Sequence, residues 1–204
     1  MQFRPLLWPT LFALPALLVL LWLGTWQVQR LEWKNQLIED FESRATAAPV
    51  DLPSGDVGPE MEFRRLALTG SYDHDREVFM TGRTYEGNAG FHIVTPFTLA
   101  DGRTVLVNRG WVSESYREQE KREFTLVEGE VTVAAILRFP GKRGYFVPEN
   151  EPENGFWFTL VPEQIVNHLG LQGKAETAIY AAALRTSDTC LLYTSDAADE
   201  RSCG

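Results

Sequence analysis

The sequence predicts a membrane-anchored α+β protein: an N-terminal transmembrane helix, then a mainly antiparallel, barrel-like β domain with a few helices. Three observations carry that reading. No charged side chain stands between Arg4 and Arg30. Beyond residue 60, short strand-like runs alternate with turn residues. A helical pattern with both end signals recurs in that region only at 162–169, where Pro162 opens it and Gly170 closes it.

Of the 21 residues from 6 to 26, 16 are Leu, Val, Ala, Phe or Trp. Roughly 20 apolar residues cross the hydrocarbon core of a bilayer. Trp8 and Trp26 are 18 residues apart, about 27 Å along a helix, which sets one indole near each interface. Pro5, Pro9 and Pro15 disfavour an ideal helix, but membrane spans accommodate proline. A secretory signal peptide is the competing reading. The apolar run is longer than the roughly 7–15 residues of such a peptide, and Ala45-Thr46-Ala47 lies too far from it to serve as its cleavage site. An uncleaved anchor over 1–29 is therefore expected. Leu31, Trp33, Leu37, Ile38 and Phe41 then recur near helical spacing among charged residues, which extends the helix out of the membrane to about Ala45. Arg4 on one side and Arg30 with Lys34 on the other leave the orientation undecided by charge.

The residues from 30 to 188 read as one compact domain. Prolines and glycines from 49 to 59 predict a linker or long turn. Strands are predicted at 63–72, 77–81, 91–99, 104–112 and 131–139, with Ala100-Asp101-Gly102 as a hairpin turn. Further strands fall at 157–160 and 177–183. From about Thr189 the pattern breaks. Residues 189–204 carry no helical or strand periodicity and resemble the translation of a sequencing-library adapter, so the natural sequence is expected to continue differently past about Asp188.

The net charge is −9 and the pI about 4.9, and basic runs are absent, so nucleic acid is not an expected partner. Without the tail the charge is −7, since Asp196, Asp199, Glu200 and Arg201 leave with it. Cys190 and Cys203 both lie in the tail, which removes thiol catalysis and thiolate metal sites from the domain.

His74 sits in Asp73-His74-Asp75, whose acids favour its charged form; the expected structure is a turn with an Asx-type cap rather than a metal site. His92 alternates with apolar residues and reads as packed or interfacial, and His168 compensates a helix dipole. No nucleophile elbow, phosphate-binding glycine loop or zinc-protease motif is present. The pairs Asp73/Asp75 and Glu149/Glu151 are unremarkable among 28 acids, so neither catalysis nor a metal is expected. Candidate partner-binding residues are Trp26 and Gln27 at the membrane exit, His74 and Arg83, Asn108-Arg109-Gly110-Trp111, and Pro148-Glu149-Asn150. Arg109 could equally pair with a buried carboxylate.

In order, LGTWQVQRLEWK at 23–34, GSYDHDREVFMTGRT at 70–84, GFHIVTPFTLADGRTVLVNRGWV at 90–112, VEGEV at 127–131 and FVPENEPE at 146–153 resemble the Surfeit locus protein 1 family of cytochrome c oxidase assembly factors. The resemblance spans most of 23–185. It implies a domain on the periplasmic or intermembrane-space side, held between two transmembrane helices. It further implies transient handling of haem a for oxidase subunit 1, with haem a synthase as a second partner, and no catalysis. Only four residues precede the span, so a bacterial inner membrane with a periplasmic domain is the expected location. The family's second span, which carries its haem-associated His and Trp, has no counterpart here. The haem ligand therefore maps onto no residue of this chain, and haem binding by it is expected to be poor. The alternatives are a membrane-anchored extracytoplasmic hydrolase and a generic envelope binding module.

Overall fold

The computed structural model describes residues 7–171, 173, 175–184 and 191–193. The chain divides into two units, Met1–Arg44 and Ala45–Gly204. The first is one helix, α1 (Leu7–Thr46), of 40 residues, about 60 Å long. It is long and apolar enough to cross a membrane by length and composition. Apolar residues surround its axis from Leu11 to Leu23 and stand uncovered: Leu20 is 64 % exposed and Trp22 69 %. A helix apolar on all sides has no preferred face to turn toward a protein core. Near its apolar end Thr25 bonds back to the Leu21 carbonyl, and the Arg30 guanidinium sits 5.2 Å from the Trp26 ring centroid.

Among the described residues the second unit has seven strands: β1 (Arg65–Tyr72), β2 (Val78–Tyr85), β3 (Asn88–Leu99), β4 (Thr104–Ser113), β5 (Val131–Arg138), β6 (Tyr180–Ala183) and β7 (Leu191–Tyr193). The short helix α2 (Pro162–His168) precedes β6. Two tight turns set the registers. Glu86 and Gly87 take φ of 48° and 81° between β2 and β3, the left-handed pair that suits a two-residue hairpin. Between β3 and β4, Asp101 accepts the Arg103 amide at 2.9 Å, and Gly102 donates to the Leu99 carbonyl at 2.9 Å.

The strand pairings return on themselves. β1 pairs with β3, β3 with β4, and β5 with both β1 and β6, all antiparallel; β4 and β6 close the ring in parallel. Period-two alternation aims one side chain in two into this ring. Leu66, Leu68, Phe97, Val105, Val107, Val133, Leu137 and Ala181 form its apolar interior. On the outer face, Val78, Met80, Val94 and Leu106 pack under Trp157, Leu160, Ile165 and Val166, so α2 and the loop before it form a lid over β2, β3 and β4.

The predicted elements appear with small shifts and three departures. The 49–59 segment is tied down rather than free: Val50 bridges Leu66 in parallel, Leu52 is buried, and Arg103 binds the Leu52 and Pro53 carbonyls at 3.0 and 2.7 Å. The 157–160 strand reduces to a bridge between Met80 and Trp157. Leu191–Tyr193, in the segment expected to lack strand structure, pairs in parallel with Gly110–Val112; the open edge at that end of β4 accepts a short apolar run.

Glycine is required where strands press together. A Cβ on Gly90 would overlap the Val112 carbonyl and the Trp111 ring, whereas a Cβ on Gly141 would meet open space. Gly90→Ala should therefore lower domain stability by about 1–3 kcal/mol, with Gly141→Ala near neutral, read from denaturant midpoints of the two variants.

Candidate functional site

Alternation along β4 that buries Val105 and Val107 carries Arg109 into the same interior. A bulge lies at this point of the strand. Val94 faces Asn108 and Ile93 faces Gly110, so Arg109 is the extra residue, and Gly110 takes φ of +110° beside it. The Arg109 side chain is 0 % exposed and lies 3.2 Å from the Glu77 carboxylate, itself 2 % exposed. Its other nitrogen donates to the Thr125 carbonyl, and the Tyr72 ring centroid lies 4.8 Å from its guanidinium carbon.

Glu77 gathers further donors. Arg122, from the 3₁₀ segment Gln119–Thr125, pairs with Glu77 Oε2. Gln119 Nε2 lies 3.1 Å from the same oxygen, and Thr95 Oγ1 is 3.3 Å from Oε1. His74 holds the Val127 carbonyl at 3.0 Å through Nε2, and places Nδ1 3.4 Å from Glu77. Burial alone would raise the Glu77 pKa. Hydrogen bonds from His74, Arg122 and Gln119 and the charge of Arg122 outweigh it, holding the carboxyl at about 2. Burial pushes the Arg109 pKa down, against the pull of Tyr72 and Glu77. Among the described residues Arg122 Nε is buried without a partner, and two guanidiniums face the one carboxylate.

On the outer face, a cavity of about 170 Å³ is bordered by Arg83, His92, Asn108, Arg138 and Tyr180. Asn108 accepts the Gly110 amide through Oδ1, at 3.1 Å, so its amide nitrogen faces His92 Nδ1 at 3.2 Å. His92 Nδ1 is then an acceptor, and the ring is neutral with its proton on Nε2. Burial, aided by the charge of Arg83, holds the His92 pKa at about 4 despite the Asn108 bond.

A third polar centre is structural. Asn150 Oδ1 accepts the Phe158 and Thr159 amides at 2.8 and 2.9 Å, while Nδ2 binds the Thr159 carbonyl and Gln164. It clamps the lid loop onto the start of α2.

The SURF1 family model matches residues 14–196. The chain belongs to the SURF1 family. It is 40 % identical over 152 residues to the human protein named Surfeit locus protein 1, covering 66 % of this chain and 51 % of that one. The mouse protein of that name is 39 % identical, over 67 % of this chain and 50 % of its own length. A Saccharomyces cerevisiae protein named cytochrome oxidase assembly protein SHY1 is 35 % identical over 156 residues, 72 % of this chain and 40 % of its own. The chain thus spans about half the length of the curated relatives it matches.

Within this SURF1-family domain the anticipated partner-binding residues separate. His74 and Arg109 meet at Glu77; Arg83 and Asn108 meet at the outer cavity. The expected exposed edge at Arg109–Trp111 is corrected. Trp111 is 2 % exposed, its ring nitrogen bonds the Arg83 carbonyl at 3.3 Å, and Gly110 is buried in the bulge. Arg109 takes the alternative role of buried carboxylate partner. The Asx-type cap at Asp73 is also corrected: Asp73 makes no capping bond and pairs instead with Arg76 at 3.1 Å. Trp26, Gln27, Pro148 and Glu149 are exposed, and Glu149 lies 3.3 Å from Arg143. Glu77, Gln119, Arg122, Arg138 and Tyr180 were not anticipated, because each is an ordinary polar residue until the fold gathers them. Among the described residues no cluster of His, Cys, Asp and Glu could hold a metal ion.

The Glu77 carboxyl is depressed in the folded state, so its stabilisation is complete above the ordinary carboxyl range and lost as pH falls from about 4.5 to about 2. Wild type should lose about 3 kcal/mol of stability across that window. Glu77→Gln should be less stable at pH 7 and should show a flatter acid limb when denaturation is followed against pH.

Proposed function

We propose that the chain is a non-enzymatic, membrane-anchored assembly factor for cytochrome c oxidase. The observation that carries the reading is the family match over 14–196, together with the name of the yeast relative. In this reading α1 is the anchor, and the ring of strand pairings makes the domain a small barrel on the periplasmic side of a bacterial inner membrane. Its cargo is haem a, and its partners are oxidase subunit 1 and haem a synthase. Residues 1–29 form the anchor, 30–188 the functional domain, and 189–204 a non-native tail.

Neither His74 nor His92 stands free to meet a porphyrin. Both His74 nitrogens are within reach of protein atoms. The cavity beside His92, at about 170 Å³, is too small for a porphyrin. His168 sits on the surface of α2 against the Trp157 ring, 5.4 Å between centroids. The domain is therefore assigned partner contact and positioning, with Pro148 and Glu149 as its exposed candidates and Trp26 and Gln27 as those of the anchor.

Because Arg109 is buried against Glu77, Arg109→Ala acts through the domain and leaves the anchor intact. In cells lacking their own factor, the variant should insert normally yet support several-fold less haem a absorbance in the oxidase than wild type. Unchanged haem a content would oppose the proposal. Subunit 1 should co-purify with tagged wild type; an unrelated envelope protein in its place would favour the generic binding module.

A further inference from the structure

The outer cavity collects hydrogen-bond donors without collecting acceptors. Among the described residues, the Arg138 guanidinium has neither a hydrogen bond nor an ion pair: its Nε is buried without a partner, and the Phe63 ring centroid lies 4.9 Å from its guanidinium carbon. Arg83 uses a single N–H, on the Phe158 carbonyl at 3.2 Å. Neutral His92 keeps an N–H on Nε2, since Asn108 occupies only Nδ1. The Tyr180 hydroxyl is held protonated by burial. Among the described residues no carboxylate lines the cavity; Glu62 acts on Tyr180 only as the weakest of its charges, behind Arg138 and Arg83.

Two guanidiniums without a counter-ion are costly to hold at a half-buried site. Their planar forks match an anion that accepts two bonds side by side. The rest of the wall is Met80, Leu160 and Ala182, which suits a hydrocarbon stem. A phosphate dianion wants donors on every side and finds apolar carbon on one. A cavity of about 170 Å³ is comparable to one of about 150 Å³ that admits benzene, so the occupant has only a few heavy atoms inside.

We propose that the cavity between Arg83, Arg138 and Tyr180 binds a carboxylate carried on a short hydrocarbon stem. The Arg138 fork meets the carboxylate oxygens, Tyr180 and His92 Nε2 donate to their remaining lone pairs, and Met80 and Leu160 cover the stem. The reading is independent of the oxidase role. A free short-chain acid and the acid arm of a larger molecule share this chemistry.

The test is a titration of the full chain in detergent with sodium propionate at constant ionic strength, following the ¹⁵N signals of the His92 ring. Saturable shifts are expected, weakened about tenfold in Arg138→Gln, the loss of one charge-assisted hydrogen bond. Tyr180→Phe should weaken binding less while keeping the packing, and serves if Arg138→Gln misfolds. Arg138→Gln should not lower thermal stability without propionate, because an unpaired cation is removed. Monomethyl glutarate run in parallel identifies the source: equal or tighter binding indicates an arm of a larger ligand, weaker binding a free short acid. No saturable shift, equal binding by both variants and wild type, or tighter binding of inorganic phosphate than of propionate would overturn the proposal.

Discussion

The carboxylate of Glu77 sits where two buried guanidiniums, from Arg109 and Arg122, converge on one end of the strand ring. Neither arginine could remain there alone, because an unpaired buried charge costs several kcal/mol. Glu77 precedes β2, Arg109 belongs to β4, and Arg122 comes from the 3₁₀ segment that follows it. One side chain therefore joins three stretches that share no strand pairing at that point. Gln119, Thr95 and His74 fill the remaining acceptor sites, which is the condition for a buried polar network to stabilise rather than weaken a fold.

Alternation along β4 separates the two polar sites. Asn108 and Arg109 are consecutive, yet one borders the outer cavity and the other enters the ring. Asn108 accepts the Gly110 amide and so helps hold the bulge at Arg109. Through His92, the same Asn108 sets the proton of the cavity histidine. The two polar sites are thus mechanically linked across the sheet, while the apolar interior and the lid pack independently on its two faces.

Much of the fold was legible because its cues are local. The charge gap marked α1, Asp101 and Gly102 marked the β3–β4 turn, and Pro162 with Gly170 bounded α2. The site was legible only in part. Asn108 and Arg109 drew notice as polar residues closing an apolar strand, and a buried carboxylate partner for Arg109 was an open alternative. Glu77 and Arg122 carried no such signal: they are 45 residues apart and lie in polar sequence whose meeting depends on tertiary topology. The same holds for Arg138 and Tyr180, joined by pairing of β5 with β6. Burial of Trp111 was missed because an aromatic at a strand end reads equally as core or contact surface.

The central claim, that Glu77 and Arg109 act as one unit in holding the ring together, is tested most directly by a double-mutant cycle. Glu77→Gln, Arg109→Met and the double variant would be compared with wild type by denaturant unfolding of the domain at pH 7. The account predicts a coupling of at least about 1.5 kcal/mol, with the double variant no worse than either single one. Additive losses, equal within about 0.5 kcal/mol to the sum of the singles, would contradict it.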